Sequence, residues 1–149
     1  MMKKLSLYIF LGLLWCNVGF TANYEELLNK GKTANYKETI EIMDEVILGF
    51  EFENSFLEDC VNEIKYFKEW GDKCKKVALR MDGRINLMNV LVGENLQSNL
   101  LEIGKKIDNG EKLDFINKTQ LQTKIDKIKE LYSKHGSLLK KVNFLKDNL

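Results

Sequence analysis

Apolar residues recur along this chain in steps of three and four. The clearest run is Leu57, Cys60, Ile64, Phe67, Gly71, Cys74, Ala78 and Met81, an unbroken 3-4-3-4 spacing that lines one seam of a helix. Between these positions stand Glu58, Asp59, Glu63, Lys65, Asp72 and Lys76, which suit water. The spacing predicts one long helix over residues 54–81. Its seam must be buried against other helices, because an amphipathic helix is not stable alone. Three further stripes supply the partners: Tyr36, Ile40, Met43, Ile47, Phe50; then Ile85, Met88, Val92, Leu96, Leu100, Ile103, Ile107; then Leu121, Ile125, Ile128, Tyr132, His135, Leu139, Val142.

Polar and glycine-bearing stretches separate the stripes. Residues 51–55 (EFENS) break the rhythm and predict the first turn, with Asn54 or Ser55 capping the second helix. Asp82-Gly83-Arg84 predicts the second turn, and residues 108–114 around Asn109-Gly110 predict the third. Upstream, residues 23–29 open a helix that Gly31 interrupts, giving either one long helix with a weak point or a short helix followed by a long one. Gly71 inside the second stripe costs about 1 kcal/mol relative to alanine, and either kinks the helix or admits a close neighbour. Thr119 and Gln122 fit a capping box for the last helix, with Leu113, Phe115 and Ile116 as a staple at its entrance. Four amphipathic helices of roughly 25 to 30 residues, joined by short turns, predict an all-α, antiparallel up-down-up-down bundle.

The N-terminus changes the picture by adding an address. Lys3 and Lys4, the apolar run from Leu5 to Trp15, and the small residues Gly19, Thr21 and Ala22 have the order of a bacterial secretory signal. Residues 1–22 are therefore read as a signal peptide, cleaved after Thr21 or Ala22, and 23–149 as the helical domain in the periplasm or outside the cell. The apolar run falls short of the roughly 20 residues a membrane span needs, although retention as an N-terminal anchor is the alternative. Cys16 follows Trp15, whose bulk is wrong for the residue before a lipidated cysteine, so lipoprotein anchoring is not expected.

Charge narrows the partners. The chain carries 23 basic and 22 acidic residues, too even for a nucleic-acid binder. The distribution is uneven: residues 23–69 hold 12 acidic and 5 basic side chains, and residues 118–149 hold 8 basic and 3 acidic. This asymmetry predicts that the first and last helices lie side by side. The competing reading is a basic C-terminal face for an anionic membrane surface.

Candidate chemistry is sparse. Cys60 and Cys74 are the two cysteines of the expected mature chain, and an even count in an oxidising compartment suggests a disulfide. On one continuous helix they would lie about 21 Å apart, far beyond the roughly 7 Å a bridge tolerates. The helix thus predicts buried, reduced thiols, with an interchain bridge in a homodimer or an error in the helix over 65–72 as the alternatives. His135 is the one histidine and falls on an apolar seam, as a core residue would. No metal ligand set, cofactor motif or nucleophile constellation is seen, and Gly31-Lys32-Thr33 lacks the earlier glycine and the strand of a phosphate loop. Asn117-Lys118-Thr119 is formally a glycosylation sequon, but in a bacterial chain Thr119 is read as a helix cap. Tyr66, Phe67 and Trp70 form an aromatic group in which Phe67 belongs to the seam. Tyr66 and Trp70 either widen the core, the preferred reading, or anchor a partner.

Residues 118–122 (KTQLQ) resemble the Leu-Thr-x-x-Gln motif of periplasmic helical chaperones of the Spy and CpxP type. Lys118 stands where that motif has leucine, and a single copy over five residues does not assign a family. The sequence thus predicts a non-enzymatic, exported bundle that binds another protein, chaperone-like or inhibitor-like. Its alternatives are an envelope protein using its basic last helix on anionic lipid, and a carrier of a small ligand in the bundle core.

Overall fold

The computed structural model describes residues 20–78 and 83–149. Most of the expected signal segment lies outside them. Every regular element among the described residues is helical: α1 Phe20–Thr33, α2 Tyr36–Phe67, α3 Asp72–Ala78, α4 Gly83–Leu91, α5 Glu94–Asp108 and α6 Lys118–Asp147. The fold is all-α. Two helices are long, however, and four are short, where the stripes predict four of similar length.

The largest departure is α2. It opens on a capping box in which the Asn35 side chain accepts from the Glu38 amide at 2.9 Å and Glu38 accepts from the Asn35 amide at 2.8 Å. It then runs straight through residues 51–55, so the predicted first turn does not exist. The reason is that the buried stripe continues through polar side chains. Phe50, Glu53, Asn54 and Leu57 are all buried, so Glu53 and Asn54 occupy seam positions that apolar residues hold elsewhere. Asn54 is no cap; its amide donates to the Leu131 carbonyl of α6 at 3.1 Å.

The predicted helix over 54–81 is also broken at its far end. α2 stops at Phe67, Lys68 takes the left-handed conformation (φ 56°), and its N–H returns to the Ile64 carbonyl. The chain then turns back as α3. From there α3, α4 and α5 retrace α2 in the opposite direction: Cys74 meets Cys60, Leu87 packs on Gly49, and Asn99 bonds to Ala34 and Thr39. Gly49 makes this approach possible, since a Cβ there would stand 2.7 Å from a Leu87 methyl. Of the predicted second turn, Asp82 lies outside the described residues and Gly83 opens α4.

The third stripe is two helices rather than one, divided at Val92-Gly93. Asn95 and Asn99 of α5 donate to the Gly31 and Ala34 carbonyls, at 2.7 and 2.8 Å, around the end of α1. These are backbone groups that a helix end leaves without internal partners. The predicted third turn is present, with Gly110 at φ 82°. α6 is capped two residues earlier than predicted: Asn117 accepts from the Gln120 amide at 2.8 Å and the Gln120 side chain accepts from the Asn117 amide at 3.0 Å. Thr119 and Gln122 therefore form no box. Ile116 and Leu121 share the core on either side of that cap, as the staple requires.

α6 lies along α2 and runs the same way. Lys124 pairs with Asp44, Lys127 with Glu51 at 3.9 Å, and Lys134 with Glu58 at 2.6 Å. The acidic partners recur every seven residues, the period at which one helix presents the same edge to its neighbour. The charge asymmetry read from sequence thus has its counterpart in this seam.

The interior divides in two. The larger core gathers α1, the first half of α2, α4, α5 and the first half of α6 around Met43, Val46, Phe50, Leu87 and Ile103. The smaller contains Leu57, Cys60, Val61, Ile64, Cys74, Val77 and Val142. Between them along α2 and α6 lies a buried polar level of Glu53, Asn54 and His135. The Tyr24 hydroxyl approaches Glu53 at 3.5 Å, and Phe50 meets His135 edge-on, 6.3 Å between ring centres.

Candidate functional site

The smaller core caps one end of the bundle with only the tail of α2, the seven residues of α3 and the tail of α6. So few side chains cannot hold a helix of two turns in place by burial alone. A covalent link supplies the rest: Cys60 and Cys74 form a disulfide with Cα atoms 4.5 Å apart. The expectation of separate, reduced thiols is overturned along with the continuous helix that required it. Residues 68–71 are non-helical, and four extended residues can span about 13 Å. That is enough to carry the chain back alongside Cys60.

Two further residues set the clasp. The Glu63 carboxylate accepts from the Cys74 amide at 3.0 Å and more distantly from that of Lys73 at 3.4 Å, so it caps α3 from outside. Gly71 gives it room, because a Cβ there would fall 2.5 Å from a Glu63 oxygen. The glycine that looked like a blemish in a helix is a requirement of the turn.

The aromatic group divides against expectation. Tyr66 and Phe67 are 80% and 71% exposed, so neither is core and the seam position assigned to Phe67 is wrong. The helix ends there, and α3 covers the other side of α2. Trp70 is half-buried against the smaller core, and the Lys146 ammonium lies 5.1 Å from its ring centre. Phe144, on the last turns of α6 beside this end, is 67% exposed.

Charge at this end is unlike that along the seam. One heptad beyond Glu58 the α2 residue is Lys65, and it stands beside Lys141 of α6. The side-chain approach of Lys65, and with it the repulsion of a second positive charge, holds the Lys141 ammonium below its usual range. By contrast, the hydrogen bond that Lys134 donates to Glu58, and the Glu58 charge, raise Lys134. Both lysines are exposed, so these shifts are screened by water.

Other singled-out residues are accounted for structurally. Gly31-Lys32-Thr33 forms the last turn of α1, and Asn117 is engaged as a cap. His135 is 2% exposed in the polar level. Two open clefts lie away from the clasp. One of about 460 Å³ separates α2 from the start of α6, lined by Lys37, Glu41, Asp44, Phe115, Thr119 and Lys124. The other, about 580 Å³, lies between α1 and the α4–α5 break. Among the described residues no three of His, Cys, Asp and Glu gather as a metal would need, and no helix is long and apolar enough to cross a membrane. Sequence reasoning missed Lys65, Lys141 and Glu63, although the seven-residue spacing of Asp44, Glu51 and Glu58 signals that a lysine at 65 interrupts a series. Comparison with protein-family models, curated proteins and solved structures finds no match to this chain.

Proposed function

We propose that the protein is an exported, non-enzymatic helical bundle that acts by docking its disulfide-clasped end on a larger partner, a protein or a membrane surface. In this reading α1, α2, the broken arm α3–α5 and α6 are the four legs of an up-down-up-down bundle. The observation that carries the proposal is the exposure of Tyr66 and Phe67 on a covalently fixed turn. Adjacent large aromatics on a backbone fixed by the disulfide make an anchor that loses little chain entropy on binding. Export is supported by the signal-like leader together with the disulfide, since such bonds persist in oxidising compartments. The absence of catalysis is supported by the placement of the one histidine, enclosed beside Phe50.

A photoreactive amino acid at position 66, in cells exporting the full chain, tests this directly. Position 101 is the control, because Leu101 is 67% exposed on α5. Adducts from position 66 and not from 101 are expected. Equal yields at both, or none at either, would sink the docking-end reading.

A further inference from the structure

We propose that the partner at this end is an anionic phospholipid bilayer, with Tyr66 and Phe67 entering the headgroup region and Lys65 and Lys141 receiving lipid phosphates. The inference rests on the docking-end reading and names its partner. Its starting point is an interruption in the α2–α6 seam. Three acid–lysine pairs run along it at Asp44, Glu51 and Glu58. Positions 65 and 141 each lie one heptad beyond the Glu58–Lys134 pair, so a fourth acid at 65 would continue the series; the chain has lysine there instead. Two like charges side by side work against the fold, and an anion between them removes that repulsion. A local rule broken at an exposed position, with no gain to the structure, is where a functional demand is expected.

The surroundings extend the argument from one pair to a surface. Residues 65–76 and 140–149 together carry eight lysines against three acidic side chains, in a chain whose formal net charge is +1. All eight lysines are exposed. Exposed Tyr66, Phe67 and Phe144 lie among them. Lysine stems and aromatic rings in this mixture suit the boundary between headgroups and acyl chains. The two clefts described above lie elsewhere, and what the described residues present at this end is a surface from which Tyr66 and Phe67 project. A negatively charged plane complements it in shape and in sign.

The test uses the oxidised, exported chain and sedimentation with vesicles of phosphatidylcholine, with or without phosphatidylglycerol. Binding to the anionic vesicles alone, weakening as salt is raised, is expected. Lys65→Glu should weaken that binding by about tenfold or more. Its melting temperature should hold or rise, because the new carboxylate faces Lys141. Tyr66→Ser with Phe67→Ser should also lose binding, whereas Leu101→Ser should not. The inference is overturned by equal binding to neutral vesicles, by no vesicle binding, or by Lys65→Glu binding as well as the parent. Protein adducts from position 66 without vesicle binding would reject the bilayer and leave the docking end standing. No adducts and no vesicle binding would reject both.

Discussion

Asn54 carries the clearest consequence at the scale of single residues. It is 2% exposed in the middle of α2, and its amide nitrogen holds the Leu131 carbonyl while its oxygen has no hydrogen-bond partner among the described residues. One bond is gained and one desolvated acceptor is left, so the net stabilisation is small. Asn54→Leu should therefore leave unfolding free energy within about 1 kcal/mol of the parent, or raise it, when measured by urea denaturation. A loss of more than about 2 kcal/mol would mean that the oxygen is satisfied after all. This residue also explains a failure of legibility. Periodicity detects a buried face by its apolar members, and here Glu53 and Asn54 occupy two successive seam positions. Their polarity imitates a turn. Tyr66 and Phe67 err in the other direction, because exposed aromatics at the end of a helix are indistinguishable by type from buried ones.

At the scale of elements, α3 depends on its link. Seven residues make too short a helix to persist without tertiary support, and its contribution to the smaller core is Cys74 and Val77. Replacing both cysteines by serine should cost about 3 kcal/mol, the loop-entropy value for a cross-link of this span. Amide exchange should speed up over residues 70–78 well before the rest of the bundle responds. Uniform acceleration along the chain would instead mean that the two cores unfold as one. The seam makes a separate prediction. Lys134 is raised by Glu58, so the pair's stabilisation is fully present below pH 10.5, the unfolded lysine value, and is lost as pH rises through the higher folded value. Lys141 is lowered by Lys65 and has the opposite sign: its penalty holds at neutral pH and is relieved as pH climbs towards 10.5. Glu58→Gln should thus reduce the melting temperature at pH 7, and the difference from the parent should shrink in strong alkali. A difference that is constant with pH would detach the effect from Lys134 ionisation. The Asn109-Gly110 turn was legible because it has chemistry of its own, whereas the cap of α6 was placed on Thr119 and Gln122 when Asn117 and Gln120 form it. The disulfide was legible as a cysteine count but not as a pair, since the continuous stripe concealed the return at Gly71.

At the scale of the whole molecule, the α2–α6 seam and the retracing arm leave one flank of the larger core to be closed by α1. Tyr24 and Leu27 are 6% exposed there, and Gly31 lies against Leu96. The helix is short, so its hold on the bundle comes from those side chains and from the Asn95 bonds to the Gly31 and Ala34 carbonyls at its end. This sets how far the N-terminus can be shortened. A chain beginning at Ala22, the expected product of signal cleavage, retains Tyr24, Leu27 and the Glu53 contact, and should melt at the temperature of the longer form. A chain beginning at Asn29 loses both buried side chains and uncovers Glu53. It should lose about 4 kcal/mol or more, by analogy with large-to-small changes at two core sites. It should also expose enough apolar surface around Leu96 and Val90 to bind a hydrophobic dye. If the two chains melted together, α1 would be an appendage rather than a leg of the bundle. The proposed docking end lies at the opposite extreme of α2 from the α1–α2 joint, so the vesicle binding proposed for it should persist in the shorter chain at temperatures where that chain remains folded. Loss of binding there without unfolding would mean that the surface extends beyond the clasp.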